Sequence, residues 1–283
     1  MLPKLSDRPT LASLLRQTSY PRTETSKYAP GFDLAGTLTC LSEREDVAGW
    51  LPQASALHQA ASAAVASGEA SDIGAALAAR ASSEGMDCGD HPPITPIKAA
   101  STVKQCDGEL GWQIYQYICK HFVASLSDDC SFDTATVTVD LGGEKFEAHA
   151  TTCVHLGWAE PLGVRVVGEG EEAAAAYARM ASIRAGERLP ITQAPKSTVR
   201  WTQPPPHLSE SDLLGLMEAH GVGTDASMAT HVSNVIKRGY VTLDEYTRRL
   251  APAPLGLALI HAYSLIDEGL SLPCVRASIE KAW

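Results

Sequence analysis

The hydrophobic period changes twice along this chain, and that change restricts it to a mixed fold. Ala135, Val137, Val139 and Leu141 alternate with Thr and Asp. Gly142-Gly143 follows, and then Phe146, Ala148 and Ala150 alternate with charged or polar residues. A period of two on both sides of a Gly-Gly pair predicts a β-hairpin with one wet face. Before and after it the period is helical. Ile114, Tyr115, Ile118 and Phe122 have the i, i+1, i+4, i+8 spacing of a buried helix face. Leu11, Leu14 and Leu15 form a shorter apolar stripe near the start. Ser209 with Asp212 three residues later resembles a capping box, and Gly221 is placed to stop that helix. Thr224 or Asp225 is expected to cap a second helix that carries Val232, Val235 and Ile236 and ends at Gly239. Residues 53–82, rich in Ala and Ser, are expected to form a helix with loose ends, a surface insertion without catalytic meaning. The expected fold class is α+β, mostly helical with a β-rich segment.

At 283 residues with 45% apolar content, the chain is long enough for about two domains with real cores. No apolar run approaches membrane-spanning length, and the region after Met1 is too polar for a secretory signal, so an intracellular protein away from the membrane is expected. Seven cysteines scattered without a framework fit free thiols in a reducing compartment. The net charge of −10 leads away from nucleic acid, because long-range attraction to phosphates then requires concentrated basic groups. They are partly concentrated: Lys4, Arg8, Arg16, Arg22 and Lys27 against Asp7 and Glu24 leave +3 over the first thirty residues.

Those residues hold the string Thr18-Ser19-Tyr20-Pro21-Arg22-Thr23-Glu24-Thr25. Pro21 disfavours the α region for Tyr20, so the tyrosine is expected at a break in the helix with its phenol free to face a cleft. Arg22 adds a planar, permanently charged fork suited to phosphate. Taken alone, these residues describe an ordinary exposed turn. The full string resembles the active-site signature of the type IA DNA topoisomerase family. Two further stretches lie in that family's order. Gly89-Asp90-His91-Pro92-Pro93-Ile94-Thr95-Pro96-Ile97 resembles the histidine-bearing segment that follows the tyrosine. Pro204 to Leu214, running on to His220-Gly221-Val222-Gly223-Thr224-Asp225-Ala226-Ser227, resembles a later helical segment that grips single-stranded DNA. With Leu272-Pro273-Cys274-Val275-Arg276, the set is most similar to eukaryotic topoisomerase III, nearer its beta branch. The resemblance covers nearly the whole chain and matches poorly only around residues 41–84.

The resemblance implies a transient cut of one DNA strand, in which Tyr20 attacks the phosphodiester and becomes linked to the 5′ phosphate. Another strand passes and the break reseals. One phosphate ester replaces another, so no ATP is needed, and the sequence carries no Gly-x-x-x-x-Gly-Lys-Ser/Thr loop. A phenol of pKa about 10 needs help with its proton or with developing charge. Arg22 is expected to hold the scissile phosphate. His91 is expected to hydrogen-bond phosphate or to move a proton, against the equal alternative of a histidine that satisfies a Pro-bounded turn. Thr23, Thr224, Asp225 and Ser227 are expected to contact DNA, because a helix N-terminus beside hydroxyls is an anion site. A plain capped helical hairpin is the structural alternative for residues 209–238.

The family also implies Mg2+, held by a glutamate and an Asp-x-Asp pair in an N-terminal TOPRIM domain. Asp87-x-x-Asp90 has the wrong spacing, and Asp128-Asp129 matches another part of the family. The magnesium ligands are therefore expected to be absent from this chain, which would begin inside the tyrosine domain and be inactive alone. The family usually has Gly and an aromatic where Arg16 and Gln17 stand. The expected domains are a helical tyrosine domain over 1–126, a β-rich arch over 127–198 and a helical DNA-binding segment over 199–283. Implied partners are single-stranded DNA, with RNA as a second substrate through the beta branch, and a RecQ-family helicase or a scaffold protein. The implied location is the nucleus, with the cytoplasm as alternative.

Two other classes compete. One is a non-catalytic nucleic-acid-binding module built on residues 209–238, although Lys237 and Arg238 fall at the end of its second helix rather than along a face. The other is a zinc protein using Cys88-x-x-His91, Cys119-x-His121 or Cys153-x-His155; without a Cys-x-x-Cys pair, small buried thiols account better for these.

Overall fold

The structure is a computed structural model that describes residues 14, 26–29, 31–81, 85, 92–193, 196, 198–223 and 227–281. It is an α+β structure: helices with two antiparallel two-stranded sheets among these residues. The chain divides between residues 194 and 195 into two compact units, each with its own logic.

In the first unit, Asp33 accepts the Gly36 N–H at 2.7 Å and so starts α1 (Leu34–Ser42). The short α2 (Glu45–Ala48) leads into α3 (Gln53–Ser67). Asp72 then caps α4 (Ile73–Arg80) by accepting the Ala75 N–H at 2.6 Å. The expected single helix over 53–82 is therefore two helices, broken after Ser67. Nor is it a surface insertion. Ala54, Leu57 and Ala61 on one face of α3, with Ala76 and Leu77 of α4, are buried in the core. Small side chains let helices pack closely, so an alanine-rich stretch contributes core contacts that its mild hydrophobicity conceals.

The centre of this unit is α5 (Glu109–Ser125). Its expected face is buried as read, with Tyr115 and Phe122 inside and Ile114 and Ile118 packed against the core; Cys119 and Val123 join them. Each fully buried large aliphatic side chain contributes roughly 1.5–3 kcal/mol. Leu14, of the expected leucine stripe, is also buried; Leu11 and Leu15 lie outside the described residues. Tyr115 is fully buried, yet its hydroxyl is satisfied twice. It donates to the Lys98 carbonyl at 2.7 Å and accepts the Ala100 N–H at 2.9 Å. Arg44 grips the same segment, donating to the Ala99 carbonyl at 3.2 Å and the Ser101 hydroxyl at 2.9 Å.

After α5 come β1 (Ser131–Leu141) and β2 (Glu144–His155), which form the expected antiparallel hairpin. Val139 faces Phe146, Val137 faces Ala148 and Ala135 faces Ala150. Gly142 and Gly143 turn the chain at φ +66° and +93°, a conformation that side chains resist. The wet face is tied by hydroxyls: Thr134 to Thr151 at 3.0 Å and Thr136 to the His149 ring at 3.0 Å. After α6 (Ala159–Leu162), the acidic, alanine-rich stretch forms α7 (Glu171–Ala181), which packs on the hairpin through half-buried Ala173, Ala176, Tyr177 and Met180. Residues 127–193 thus combine a hairpin with a covering helix.

The second unit holds α8 (Glu210–Ala219) and α9 (Met228–Lys237), then β3 (Val241–Leu243) and β4 (Leu250–Pro252), then α10 (Pro254–Ile266) and α11 (Pro273–Lys281). Met228, Val232, Leu250 and Ala277 are its buried apolar side chains among the described residues. α10 is apolar all round, and Leu255, Leu257 and Ile260 on it are exposed. No helix among the described residues is long and apolar enough to cross a membrane.

Replacing Tyr115 by Phe leaves a buried N–H and a buried carbonyl without their partner. The expected loss is about 1–3 kcal/mol. A urea titration would show it as a lower midpoint at unchanged slope.

Candidate nucleic-acid interface

Of the site residues expected from the sequence, Tyr20, Arg22, Thr23, His91, Thr224 and Asp225 lie outside the described residues, and Ser227 is within them. The structure does describe the ends of the segments that carry the tyrosine and the histidine. The Ile97 N–H donates to the Leu14 carbonyl at 2.9 Å, joining the chain just before the tyrosine segment to the last residue of the histidine segment. At the other ends, Gly85 lies against the backbone of Ser26 and Lys27; a Cβ added there would sit 3.0–3.1 Å from three of their atoms. Leu14 and Ser26 on one stretch of chain are thus joined to Ile97 and Gly85 on the other. The sequence carried no signal for this beyond an ordinary Gly and an ordinary Ile, since the pairing is made across the fold.

Tyr28 fixes the downstream flank. Its ring stacks on Phe32 at 5.3 Å and meets the edge of Phe122 at 6.2 Å, and its hydroxyl reaches the Ser125 hydroxyl at 2.5 Å. Burial pushes its phenol above the ordinary range, partly offset by the bond to Ser125. Tyr115 is also pushed up, by burial and then by Cys119. A nucleophilic phenol needs the opposite treatment, so neither serves as one. Burial likewise raises the thiols of Cys106, to about 11, and Cys119, to about 12, which marks them as structural. His121 lies against the exposed ring of Tyr117 at 4.2 Å while Cys119 is buried beside Tyr115, so the Cys119-x-His121 pair does not converge on a metal.

In the second unit the expected pair of helices is present; the N-cap position of the second is Ser227, and the expected caps Thr224 and Asp225 lie outside the described residues. Ser209 accepts the Asp212 N–H at 3.1 Å and Asp212 accepts the Ser209 N–H at 2.9 Å, the reciprocal capping box that starts α8. Hydrogen bonds from the Ser209 side chain and then from its backbone lead the causes that hold the Asp212 carboxyl below the usual range. At the end of α8, the Val222 N–H returns to the Met217 carbonyl at 2.8 Å and the Gly221 N–H to Glu218 at 3.0 Å. α9 ends in the same way, with Tyr240 bonded back to Val235 at 3.1 Å and Gly239 to Ile236 at 3.0 Å. Its helical residues begin at Met228, with Ser227 half-buried beside Gly223 and His231.

One contact alters the electrostatics of that loop. The Gly223 N–H donates to the Glu280 carboxylate at 2.5 Å, and Arg276, one turn earlier on α11, pairs with Glu280 at 2.6 Å. The bond to Gly223 is the main cause that holds the Glu280 carboxyl below the ordinary glutamate range; Arg276 and His231 add to it. The Gly223 N–H thus already holds an anion, one supplied by the chain itself. Sequence reasoning did not find Glu280, since nothing in its neighbourhood on the chain points to a loop 57 residues away.

Among the described residues no three or more His, Cys, Asp or Glu side chains gather to hold a metal ion.

Two outcomes are expected from this geometry. Gly85→Ala places a methyl against the backbone of Ser26 and Lys27 and should destabilise the first unit by about 1–3 kcal/mol; thermal unfolding would show it. The Glu280 carboxyl has a lowered pKa, so the contribution of its contact is present above the ordinary glutamate range and is lost as pH falls through the lowered value. The amide resonance of Gly223 followed on acidification should shift at a lower pH than free glutamate titrates, and in Glu280→Gln should not shift.

A profile of the family described as DNA topoisomerase matches residues 14–282. The chain is 35% identical to human DNA topoisomerase 3-beta-1 over 93% of its own length and 27% of that protein's. It is 34% identical to DNA topoisomerase 3-beta of Arabidopsis thaliana, again over 93% of this chain and 27% of the relative. Full-length topoisomerase I from Thermotoga maritima matches 67% of this chain and 31% of its own at 17% identity and a TM-score of 0.48, too loose a likeness to carry an argument about fold. The chain thus spans about a quarter of the length of the curated relatives it matches. A profile match across nearly all of it, with a third of its residues shared with topoisomerase 3-beta, means that the chain belongs to the type IA DNA topoisomerase family.

Proposed function

We propose that this chain supplies the tyrosine-bearing and strand-gripping parts of a type IA DNA topoisomerase, which cuts one DNA strand through a 5′-phosphotyrosyl link, passes a strand and reseals without ATP. Tyr20 is the nucleophile. Its oxygen attacks the phosphorus, the 3′-side oxygen of the neighbouring sugar leaves, and the phenolic proton must be taken up as the bond forms. Arg22 holds the scissile phosphate and stabilises the charge that grows on its oxygens. His91 donates a hydrogen bond to that phosphate or carries a proton. Thr23, with Thr224, Asp225 and Ser227 at the start of the second helix, contacts the strand.

The observation that carries this reading is the double bracket around the two chemical segments. Leu14 with Ile97, and Gly85 with Ser26 and Lys27, tie the flanks of the tyrosine segment to those of the histidine segment. A motif pair that acts on one phosphate requires such common anchorage, whereas two unrelated turns do not. The chain also leaves two other tyrosines with phenols raised by burial.

The substrate we propose is single-stranded DNA, with RNA as a second substrate supported by the similarity to topoisomerase 3-beta. The implied partners are a RecQ-family helicase or a scaffold protein. Similarity to eukaryotic relatives supports the nucleus, with the cytoplasm as the alternative.

Trapping the covalent intermediate tests this. The chain is incubated with a labelled single-stranded oligonucleotide, magnesium and the TOPRIM domain of a relative, and then denatured. The expected result is label carried by the protein and linked through Tyr20. Tyr20→Phe should abolish it while changing non-covalent affinity less than about twofold, since the phenol adds no charge to the backbone contacts. Strand binding without any adduct under these conditions would favour a non-catalytic binding module.

A further inference from the structure

One acidic side chain sits where its own helix disfavours it. Glu280 lies in the last turn of α11 (Pro273–Lys281), beside the negative end of the helix dipole. Two contacts offset that placement. The Gly223 N–H donates to its carboxylate at 2.5 Å across 57 residues of chain, and the Arg276 guanidinium pairs with it at 2.6 Å. The place is partly open to water: 24% of the Glu280 side chain and 56% of the Arg276 side chain remain accessible.

The surroundings form an anion cradle. A Cβ placed on Gly223 would stand 3.4 Å from the Ser227 hydroxyl and 3.5 Å from the His231 ring, so both line the same side of the loop. The Gly223 bond leads the causes that favour the ionised carboxylate, followed by Arg276 and His231. A backbone N–H, a guanidinium, a hydroxyl and an imidazole are also the groups that bind a phosphodiester. Here the chain's own carboxylate fills the cradle.

We infer that Glu280 is an autoinhibitory latch: its carboxylate holds the Gly223 N–H and Arg276 in place of a strand phosphate, and a single strand displaces it on binding. That role rests on the reading that Thr224, Asp225 and Ser227 contact the strand. Gly223 directly precedes them, so a phosphate that reaches this loop competes with a carboxylate for one donor. In place, Glu280 repels the phosphate; displaced, it turns to water and leaves Gly223 and Arg276 to the strand. Displacement costs the carboxylate both contacts. A strand offsets that cost through several phosphates at once, which a small anion cannot do, so the latch selects for a polynucleotide. Arg276 is then a strand-binding residue that the free protein keeps masked.

The test measures binding of a labelled oligothymidylate to the full chain by fluorescence anisotropy at fixed salt. Glu280→Gln and Glu280→Ala should each bind about fivefold or more tightly than wild type. Adding Arg276→Gln to Glu280→Ala should cancel most of that gain. A second readout needs no variant. With saturating oligothymidylate, whose bases do not titrate in acid, the Gly223 amide of the wild type should lose the acid-induced shift it shows in the free protein. Unchanged or weaker binding by Glu280→Ala, or a Gly223 shift that persists in the bound state, would overturn the latch alone and make Glu280 a brace for the loop. Binding by neither wild type nor variants would overturn the latch together with the reading beneath it.

Discussion

A buried hydroxyl on the central helix organises the first unit. Tyr115 is enclosed in apolar side chains, where a phenolic O–H costs free energy unless it is bonded. The Lys98 carbonyl and the Ala100 N–H satisfy it and are thereby fixed to α5. That segment continues directly from Ile97, which in turn holds Leu14. About two to three turns further along the same helix, Phe122 and Ser125 hold Tyr28. One helix therefore anchors the chain just beyond the histidine segment and, separately, the chain just beyond the tyrosine segment. A rigid core helix is a suitable mount for chemistry that depends on placement, since small displacements of reacting groups cost large factors in rate.

The second unit obeys a different principle. It buries few side chains and relies on satisfied backbone. The capping box at Ser209, the returns at Gly221 and Gly239 and the bridge between Ser209 and Arg249 settle where each element starts and stops. The Leu250 N–H donates to the Leu208 carbonyl at 2.8 Å, and Arg249 donates to the His207 carbonyl, so the chain leading into α8 is laid along β4. Glu280 then ties the last helix to the loop before α9. Its carboxylate stands where a strand phosphate is expected to approach, so a phosphate arriving at Gly223 meets a negative charge unless Glu280 gives way.

Much of this was legible along the chain because it is local. The hairpin came from a period of two around Gly-Gly, and the start of α8 and the stops of α8 and α9 came from cap residues whose bonds reach only three to five positions. The buried face of α5 came from its spacing. Residues 53–82 misled for a physical reason: alanine is too weakly apolar to announce burial, and only the packing of Ala54, Ala61 and Ala76 against neighbouring helices shows that they are core. The zinc spacing at Cys119 and His121, set aside on sequence in favour of buried thiols, has a geometric reason to fail. Cys119 and His121 are close in sequence, but residues two apart on a helix point in different directions.

Sequence alone determined the family, the α+β class and the local punctuation of the elements, because motif identity, hydrophobic period and cap chemistry act over a few residues. Tertiary structure decided which distant groups share a place: Leu14 with Ile97, Gly85 with Ser26 and Lys27, and Glu280 with Gly223. Each of those contacts joins chain segments whose separation is closed only by folding. No short-range preference encodes such distances, so they exist only once the chain has folded.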